Sequence, residues 1–195
     1  EGLDNAGKIS AQGTLTADVK QINNQAELIS NRFNLANLKI LKNSGRIISN
    51  QDLAIRTDQF ENTGQAIIAS NANLEIKVSH PVLSNQGNLT AFKNLSLETL
   101  DPKGVVQNHG SITAGNLIRI DTDRFINGGT GSNNTKLTAG NITVEANQIE
   151  NKAEIAANRV YLKADKTADG QINNTGDIFA TDQIDLTAEK QIVNN

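Results

Sequence analysis

The amino-acid sequence predicts an all-β fold, a parallel β-helix of about nine coils with three short strands in each coil. Two observations lead to this prediction. A phrase of the form Asn-x-Gly-x-Ile-x-Ala, where x is any residue, returns about every twenty residues, and a fixed repeat of this length is typical of stacked solenoids. Between copies of the phrase, apolar residues alternate with polar ones, which is the pattern of a strand with one buried face. We therefore expect coils that stack along one axis.

The Asn that opens each phrase sets the register of the coils. Well-preserved copies are Asn5-Ala6-Gly7-Lys8-Ile9-Ser10-Ala11 and Asn108-His109-Gly110-Ser111-Ile112-Thr113-Ala114. In this register the predicted coil starts are Asn5, Asn24, Asn43, Asn62, Asn85, Asn108, Asn133, Asn151 and Asn174. Their spacings are 19, 19, 19, 23, 23, 25, 18 and 23 residues. Residues 1–195 are thus expected to form a single β-helix segment. Because the chain opens with Glu1 and contains no Met, we expect this segment to belong to a longer chain.

The first predicted strand of each coil follows directly after the Asn. An apolar residue stands four positions after the Asn, as Ile47 does, and a small residue such as Ser49 stands two positions further on. Residues two apart lie on the same face of a strand, so both are expected to point inward. The coil from Asn62 needs one additional residue to fit this rule, which places Ile67 and Ala69 at the inward positions.

Two further strands complete each predicted coil. An alternating apolar pair such as Leu53 and Ile55 begins nine or more positions after the Asn, and an apolar residue such as Phe60 often precedes the next Asn. Neither a sustained helical spacing nor the Leu-x-x-Leu-x-Leu signature of leucine-rich repeats occurs in the sequence. Each coil therefore offers three inward faces. About nine coils that stack at ~4.8 Å would give a rod on the order of 45 Å long.

The longer coils carry surplus residues just before the next Asn. The surplus predicts loops at residues 77–84, 100–107, 126–132 and 164–173, all of which are expected to leave the rod near one corner. Insertions that map to one face of a repeat protein often mark a binding face, although surface loops also tolerate extra residues without any function. The residues that we select here as candidate ligand contacts are His80, Asp101, Lys103 and His109.

The composition argues against several classes of function. A net charge of −3 and an aromatic content of 3% provide neither a basic surface nor stacking platforms, so we expect no nucleic-acid partner. The chain has no Cys, and its two His residues, His80 and His109, lie more than one coil apart. We therefore predict no metal site and no other cofactor. No apolar run approaches the roughly 18 residues of a membrane-spanning helix.

The repeated phrase, followed by Leu-x-Ile and Ile-x-Asn, resembles the repeats of the filamentous haemagglutinin family over nearly the whole chain. Members of this family are large exoproteins of bacterial two-partner secretion, and they include the effectors of contact-dependent growth inhibition. The resemblance implies a right-handed parallel β-helix and export through a dedicated outer-membrane barrel transporter. It also implies a role in adhesion or toxin delivery at the bacterial cell surface, and hence in virulence.

From this resemblance we expect the chain to be a non-enzymatic shaft. The shaft would be a secreted, monomeric rod that presents an adhesive or toxic end to a receptor on a host cell or a neighbouring cell. The receptor could be a protein or a glycan, and the corner loops could add contacts to it. The secretion domain and the toxin domain of the family are not recognisable in this sequence.

A carbohydrate-active lyase or hydrolase is the alternative function, because some parallel β-helices cleave polysaccharides. Such cleavage usually needs two carboxylates that face one cleft. The densest acidic spot, Asp121 and Asp123 beside Arg124, is predicted to lie on the outer surface because Ile118 and Ile120 occupy inward positions. We therefore predict no enzyme and no catalytic residues. An exposed cluster of carboxylates with Arg or Lys along adjacent coils would favour the enzyme, and bare polar ladders would favour the shaft.

Overall fold

The computed structural model describes residues 1–129 and 135–195. These residues contain no helix, and their strands pair in parallel to form a β-solenoid of about nine turns. The predicted fold class, an all-β stack of parallel coils, is therefore confirmed. The right-handed sense of the coil stays a prediction.

The first face of the solenoid is a sheet of ten parallel strands, each of which ends on an Asn. An apolar residue two positions before this Asn points inward, and Leu41, Phe60 and Phe125 are completely or almost completely buried in this way. The strands are Gly2–Asn5, Gln21–Asn24, Ile40–Asn43, Gln59–Asn62, Val82–Asn85, Val105–Asn108, Arg124–Asn127, Gln148–Asn151, Gln171–Asn174 and Gln191–Asn194.

The second and third faces belong to one sheet of thirteen strands. In the middle of the rod the two faces are separate strands: Arg46–Ser49, Ile67–Ser70, Asn88–Ala91 and Ser111–Ala114 on the second face, and Leu53–Thr57, Leu74–Val78, Asn94–Thr99 and Leu117–Asp121 on the third. In the other coils one bent strand covers both faces. These strands are Lys8–Asp18, Glu27–Ala36, Lys136–Glu145, Glu154–Ala164 and Ile178–Ala188. The register shifts at two of the bends, between Ala11 and Thr14 and between Ala157 and Arg159.

The second face departs from the predicted inward pattern in the fourth coil. Ile68 and Ser70 are buried there and pair in register with inward residues of the next coil. Ile67 and Ala69 lie on the outer side, half-exposed, so their prediction as inward residues is wrong. The coil has two extra residues at this point, not one, because a turn at residues 63–66 precedes the strand.

The Asn residues that end the first-face strands form a ladder of hydrogen bonds through the interior. Each side-chain Nδ2 donates to the Oδ1 of the Asn one coil further on, at 2.6–2.9 Å. Since a buried amide requires partners for its polar atoms, stacking on an identical amide satisfies both sides at once. The members of this Asn ladder are Asn5, Asn24, Asn43, Asn62, Asn85, Asn108, Asn127, Asn151, Asn174 and Asn194.

The ladder corrects one predicted coil start. Asn133 lies outside the described residues, and the ladder position between Asn108 and Asn151 belongs to Asn127. Asn127 accepts a hydrogen bond from Asn108 at 2.9 Å and donates one to Asn151 at 2.7 Å. The predicted start at Asn133 is therefore wrong, and the two spacings are 19 and 24 residues. The surplus residues of this coil follow the ladder Asn in the sequence, because Asn127 is the residue that stacks on the Asn of the coil below.

The Gly of the repeated phrase is required by the close approach of successive coils. A Cβ on Gly110 would lie 2.0 Å from the carbonyl oxygen of Gly87, and a Cβ on Gly45 would lie 2.1 Å from that of Ala26. Real Cβ atoms do not come this close to a carbonyl oxygen, so the residue two positions after the ladder Asn must be Gly in these coils. At Gly7, in the first coil, a Cβ would meet nothing within 4 Å.

Candidate functional site

The surplus residues of the long coils leave the rod at two of its three corners. Residues 79–81, 100–104 and 165–170 connect the third face to the first, at what we call the 3–1 corner. The turn at residues 63–66 follows the first-face strand that ends at Asn62, and Gly128 and Gly129 follow the one that ends at Asn127. Both therefore begin at the corner between the first and second faces, which we call the 1–2 corner. The prediction that all four loops leave near one corner is therefore wrong.

The loops are also shorter than predicted, because first-face strands occupy part of each predicted range. Val82–Asn85 takes up the end of 77–84, Val105–Asn108 the end of 100–107, and Gln171–Asn174 the end of 164–173. In the range 126–132, the first two residues end the strand Arg124–Asn127, and residues 130–132 lie outside the described residues. A first-face strand is needed in every coil to carry the ladder Asn, and this requirement sets the loop boundaries.

The four candidate ligand contacts do not form one site. His80 is exposed at the 3–1 corner. At the same corner, one coil further on, the backbone N–H of Lys103 donates to Asp101 Oδ1 at 2.8 Å and closes a turn. His109 lies at the 1–2 corner, where a Cβ on Gly129 would be 2.6 Å from its Cδ2 atom. The structure thus brings three of the four residues to one corner, and their role in ligand contact stays a prediction.

Asp121, Asp123 and Arg124 are engaged in contacts that hold the coils together. Asp121 Oδ1 accepts a hydrogen bond from Lys166 Nζ at 2.5 Å, and Lys166 also donates to the carbonyl of Thr122 at 2.9 Å. Asp123 accepts a hydrogen bond from an Asn of the next coil, and Arg124 pairs with a carboxylate of that coil at 2.9 Å. The two aspartates are therefore bonded to separate partners and do not face each other across a cleft.

A row of three carboxylates follows the outer side of the third face. Glu98, Asp121 and Glu145 occupy the same position in successive strands. Arg119 lies 3.5 Å from Asp121 and 2.7 Å from Glu145, and Lys77 lies 2.8 Å from Glu98. This row is an outward-facing, half-exposed cluster of carboxylates with Arg and Lys along adjacent coils, which comes near the feature that would favour the enzyme. It was not recognised in the sequence, because the three residues stand at the ends of strands whose register only the structure gives.

Hydrogen bonds from ion-pair partners shift the pKa of several outer groups. The pKa of Lys77 is raised, mainly by its hydrogen bond to Glu98 and further by the one to Glu75 at 3.3 Å. The pKa of Glu150 is lowered, mainly by its hydrogen bond from Lys152. Both shifts favour the charged form, so they stabilise ion pairs and do not prepare either group for proton transfer at neutral pH.

The interior polar side chains bond to the backbone of neighbouring turns. Ser70 Oγ donates to the carbonyl of Gln51 at 2.8 Å, and Thr122 Oγ1 donates to that of Gly104 at 2.8 Å. Thr122 and Thr99 are stacked in a third inward column of the third face, with their hydroxyl oxygens 2.8 Å apart. The sequence contained a signal for this column, since it lies two residues after the alternating apolar pair.

The described residues contain neither a metal-binding cluster nor a membrane-spanning helix. No group of three or more His, Asp or Glu side chains there is placed to hold a metal ion. No helix there has the length and apolarity needed to cross a membrane.

Comparisons of this chain with models of known protein families, with curated proteins and with solved structures find no match. Function therefore has to be argued from the geometry of the coils and from the residues on their outer surface.

Proposed function

We propose that this chain is a non-enzymatic shaft segment of a secreted bacterial surface filament, which holds an adhesive or toxic end away from the cell. The observation that supports this proposal most is the unbroken Asn ladder through ten strands. In a solenoid each coil contacts only its neighbours, so that length and stability both grow coil by coil. Nine intervals of about 4.8 Å give a rod of roughly 43 Å.

The proposed route to the cell surface is two-partner secretion, through an outer-membrane barrel transporter. It rests on the resemblance of the repeats to the filamentous haemagglutinin family, whose members include adhesins and contact-dependent growth-inhibition effectors. A repeat array suits such export because folding can begin at one coil and continue along the chain. The absence of Cys suits it as well, since an unfolded chain without thiols forms no disulfides before it folds.

Contact with a receptor, a protein or glycan of a host or neighbouring cell, is proposed for the 3–1 corner. Segments 79–81 and 100–104 follow one another there in adjacent coils, and the backbone N–H of Val105 donates to the carbonyl of Pro81 at 2.6 Å. Leu100 is 56% exposed at this corner. These stacked loops and their exposed apolar residue differ from the repeated pattern of the coils, so they can give this rod a surface of its own for a receptor.

A coil deletion tests the shaft. Residues 25–43 make up one whole coil, because Asn24 and Asn43 occupy successive ladder positions 19 residues apart. Since the chain has no Cys, Cys residues introduced at Asp4 and Asn173, both exposed on the first face, carry spin labels at known places. The labels should be separated by about 38 Å in the intact chain, and by about 5 Å less after the deletion.

The second part of the test measures adhesion. The chain is placed between an outer-membrane anchor and an adhesive domain whose ligand is known. Adhesion should persist with the intact and the shortened chain. It should fall when the chain is replaced by a Gly/Ser linker of roughly 60 residues, whose root-mean-square length of about 43 Å matches the rod, because a flexible linker does not fix the distance. Equal adhesion with the flexible linker, or a label distance that does not change after the deletion, would contradict the shaft.

The carboxylate row Glu98, Asp121 and Glu145 favours one alternative, a lyase or hydrolase that acts on a polysaccharide. These residues stand on neighbouring strands that are about 4.8 Å apart, and retaining glycosidases use two carboxyl groups at a similar separation. Incubation of the chain with a panel of plant, bacterial and animal polysaccharides, followed by measurement of new reducing ends, tests this activity. Cleavage that is lost in Asp121→Asn and kept in Asp18→Asn would establish the enzyme, and no cleavage of any polysaccharide would exclude it for the panel.

A further inference from the structure

A polar trough runs along the rod on the outer side of the second face. It encloses about 870 Å³, a volume in the range of small-ligand sites. Its lining begins on the strands Asn88–Ala91 and Ser111–Ala114 and continues through three further coils to Asp177. The five coils in a row make the trough about 19 Å long. The trough lies on a different face from the carboxylate row and away from the 3–1 corner.

One half of the trough is lined by uncharged polar groups. Asn88 pairs in register with Ser111, and Thr90 pairs with Thr113, so that an amide and three hydroxyl groups point outward from two adjacent strands. The Ser111 and Thr113 hydroxyl oxygens are 3.4 Å apart. This half therefore offers a set of hydrogen-bond donors and acceptors without net charge.

The other half of the trough carries charges of both signs. Lys136 stacks on Glu154 in register, Lys152 stands two residues before Glu154 in the same coil, and Asp177 lies in the next coil. Two cations and two carboxylates cancel, so the trough as a whole favours neither a polyanion nor a polycation.

Thr135 provides an independent sign that the trough receives a polar group. It lines the trough and is only 6% exposed, yet its hydroxyl oxygen makes no hydrogen bond to any of the described residues. Buried hydroxyls are nearly always bonded, and an unbonded one requires an explanation. A hydroxyl group of a bound ligand would supply the missing partner.

We propose that this trough binds a linear, electrically neutral oligosaccharide, which lies along the axis of the rod. An extended ligand with many hydroxyl groups and no net charge matches both halves of the lining. A peptide strand fits less well, since strand addition requires a free sheet edge and pockets for alternate side chains. The trough offers instead the outer face of a sheet whose strands are already paired on both sides. This proposal does not depend on the shaft, because a rod that binds no glycan still spans distance.

The described residues that line the trough include no aromatic side chain, and this limits the expected affinity for a sugar. Without a ring to stack on, a sugar is held by neutral hydrogen bonds alone, so we expect a dissociation constant on the order of 1 mM. The affinity should rise with the length of the oligosaccharide until the ligand fills the trough, and should then remain constant.

The test is a titration of the folded 195-residue chain, followed by amide chemical shifts in NMR spectra. The ligands are β-1,4-linked glucose oligomers from the disaccharide to the hexasaccharide, with a uronic-acid oligomer as the charged comparison. We expect shifts at Thr90 and Thr113, with an affinity that rises with length. Thr113→Val, which keeps the shape and removes one hydroxyl, should weaken binding roughly three- to tenfold.

Thr143→Val is the matched control, because Thr143 is equally half-exposed but points outward from the third face. It should bind as the unaltered chain does, and Ser111→Ala provides a second lining variant should Thr113→Val fold poorly. No shifts with any neutral oligomer would overturn the proposal. Tighter binding of the uronic-acid oligomer, or equal weakening by Thr143→Val, would overturn it as well.

Discussion

The substitution Asn85→Asp replaces one side-chain NH2 group by an oxygen in the middle of the Asn ladder. Asn85 is completely buried, accepts a hydrogen bond from Asn62 at 2.8 Å, and donates to Asn108 Oδ1 at 2.8 Å and to the carbonyl of Gly87 at 3.1 Å. An ionised carboxylate keeps the first of these bonds. It turns the other two into contacts between acceptors, which disfavours the charged form. We therefore expect the Asp carboxyl to be protonated in the folded chain, with a pKa raised above its unfolded value.

The expected loss of stability follows from that proton. The unfolded pKa of Asp is about 3.9, and each pH unit above it costs about 1.4 kcal/mol to keep the group protonated, or about 4 kcal/mol at pH 7. Because the folded pKa is the higher one, this loss grows as the pH rises above about 3.9 and disappears below it. At pH 4 only the lost bond to Gly87 remains, about 1 kcal/mol. Asn85→Ala loses all three bonds and should cost about 3 kcal/mol at either pH.

Urea denaturation, followed by far-UV circular dichroism at about pH 7 and about pH 4, measures these differences against the unaltered chain at each pH. Asn94→Asp is the control, since Asn94 is exposed and its side chain donates to Asn73 at 3.0 Å on the outer surface. It should change the free energy of unfolding by less than about 0.5 kcal/mol. The reasoning would be refuted if Asn85→Asp were no less stable than Asn94→Asp at pH 7, or if its loss did not diminish at pH 4.

Three further predictions concern the coil contacts. Gly110→Ala should lower the free energy of unfolding, measured by urea denaturation, by about 1–3 kcal/mol, because its Cβ would lie 2.0 Å from a carbonyl oxygen of the coil below. Gly7→Ala, where the space is open, should lower it far less. Equal losses in the two variants would contradict the role of close approach. Lys166→Met removes the contacts to Asp121 and to a backbone carbonyl, and should speed proteolysis of residues 165–170 while global stability falls by no more than about 1 kcal/mol; an unchanged cleavage rate would show that these contacts do not hold the loop. Glu150 has a lowered pKa in the folded chain, so its contribution to the free energy of unfolding is present above its unfolded pKa of about 4.3 and is lost as the pH falls through the folded pKa. Glu150→Gln should therefore lose less stability than the unaltered chain when the pH is lowered. An equal loss of stability in acid would refute this assignment.

The candidate sites illustrate where sequence reasoning stops. His80, Asp101 and Lys103 could be assigned to one corner because their distance from the ladder Asn is visible in the sequence. The carboxylate row and the polar trough could not be found in this way. Each combines residues from three or more coils, and the coils differ in length, so residues that stack have no constant separation in sequence.

The class of fold follows from the sequence alone, because alternation with period two and the recurring Asn-x-Gly leave no other way to bury the apolar residues. The sequence also contains a signal for Asn127, which is followed by Gly129 and lies 19 residues after Asn108. Asn133 competes with it, since both positions are locally compatible with a turn. The choice between them required the tertiary structure, because an amide enters the ladder by stacking on the amide one coil below. The corner at which the surplus residues of this coil begin, between the first and the second face, follows from that choice.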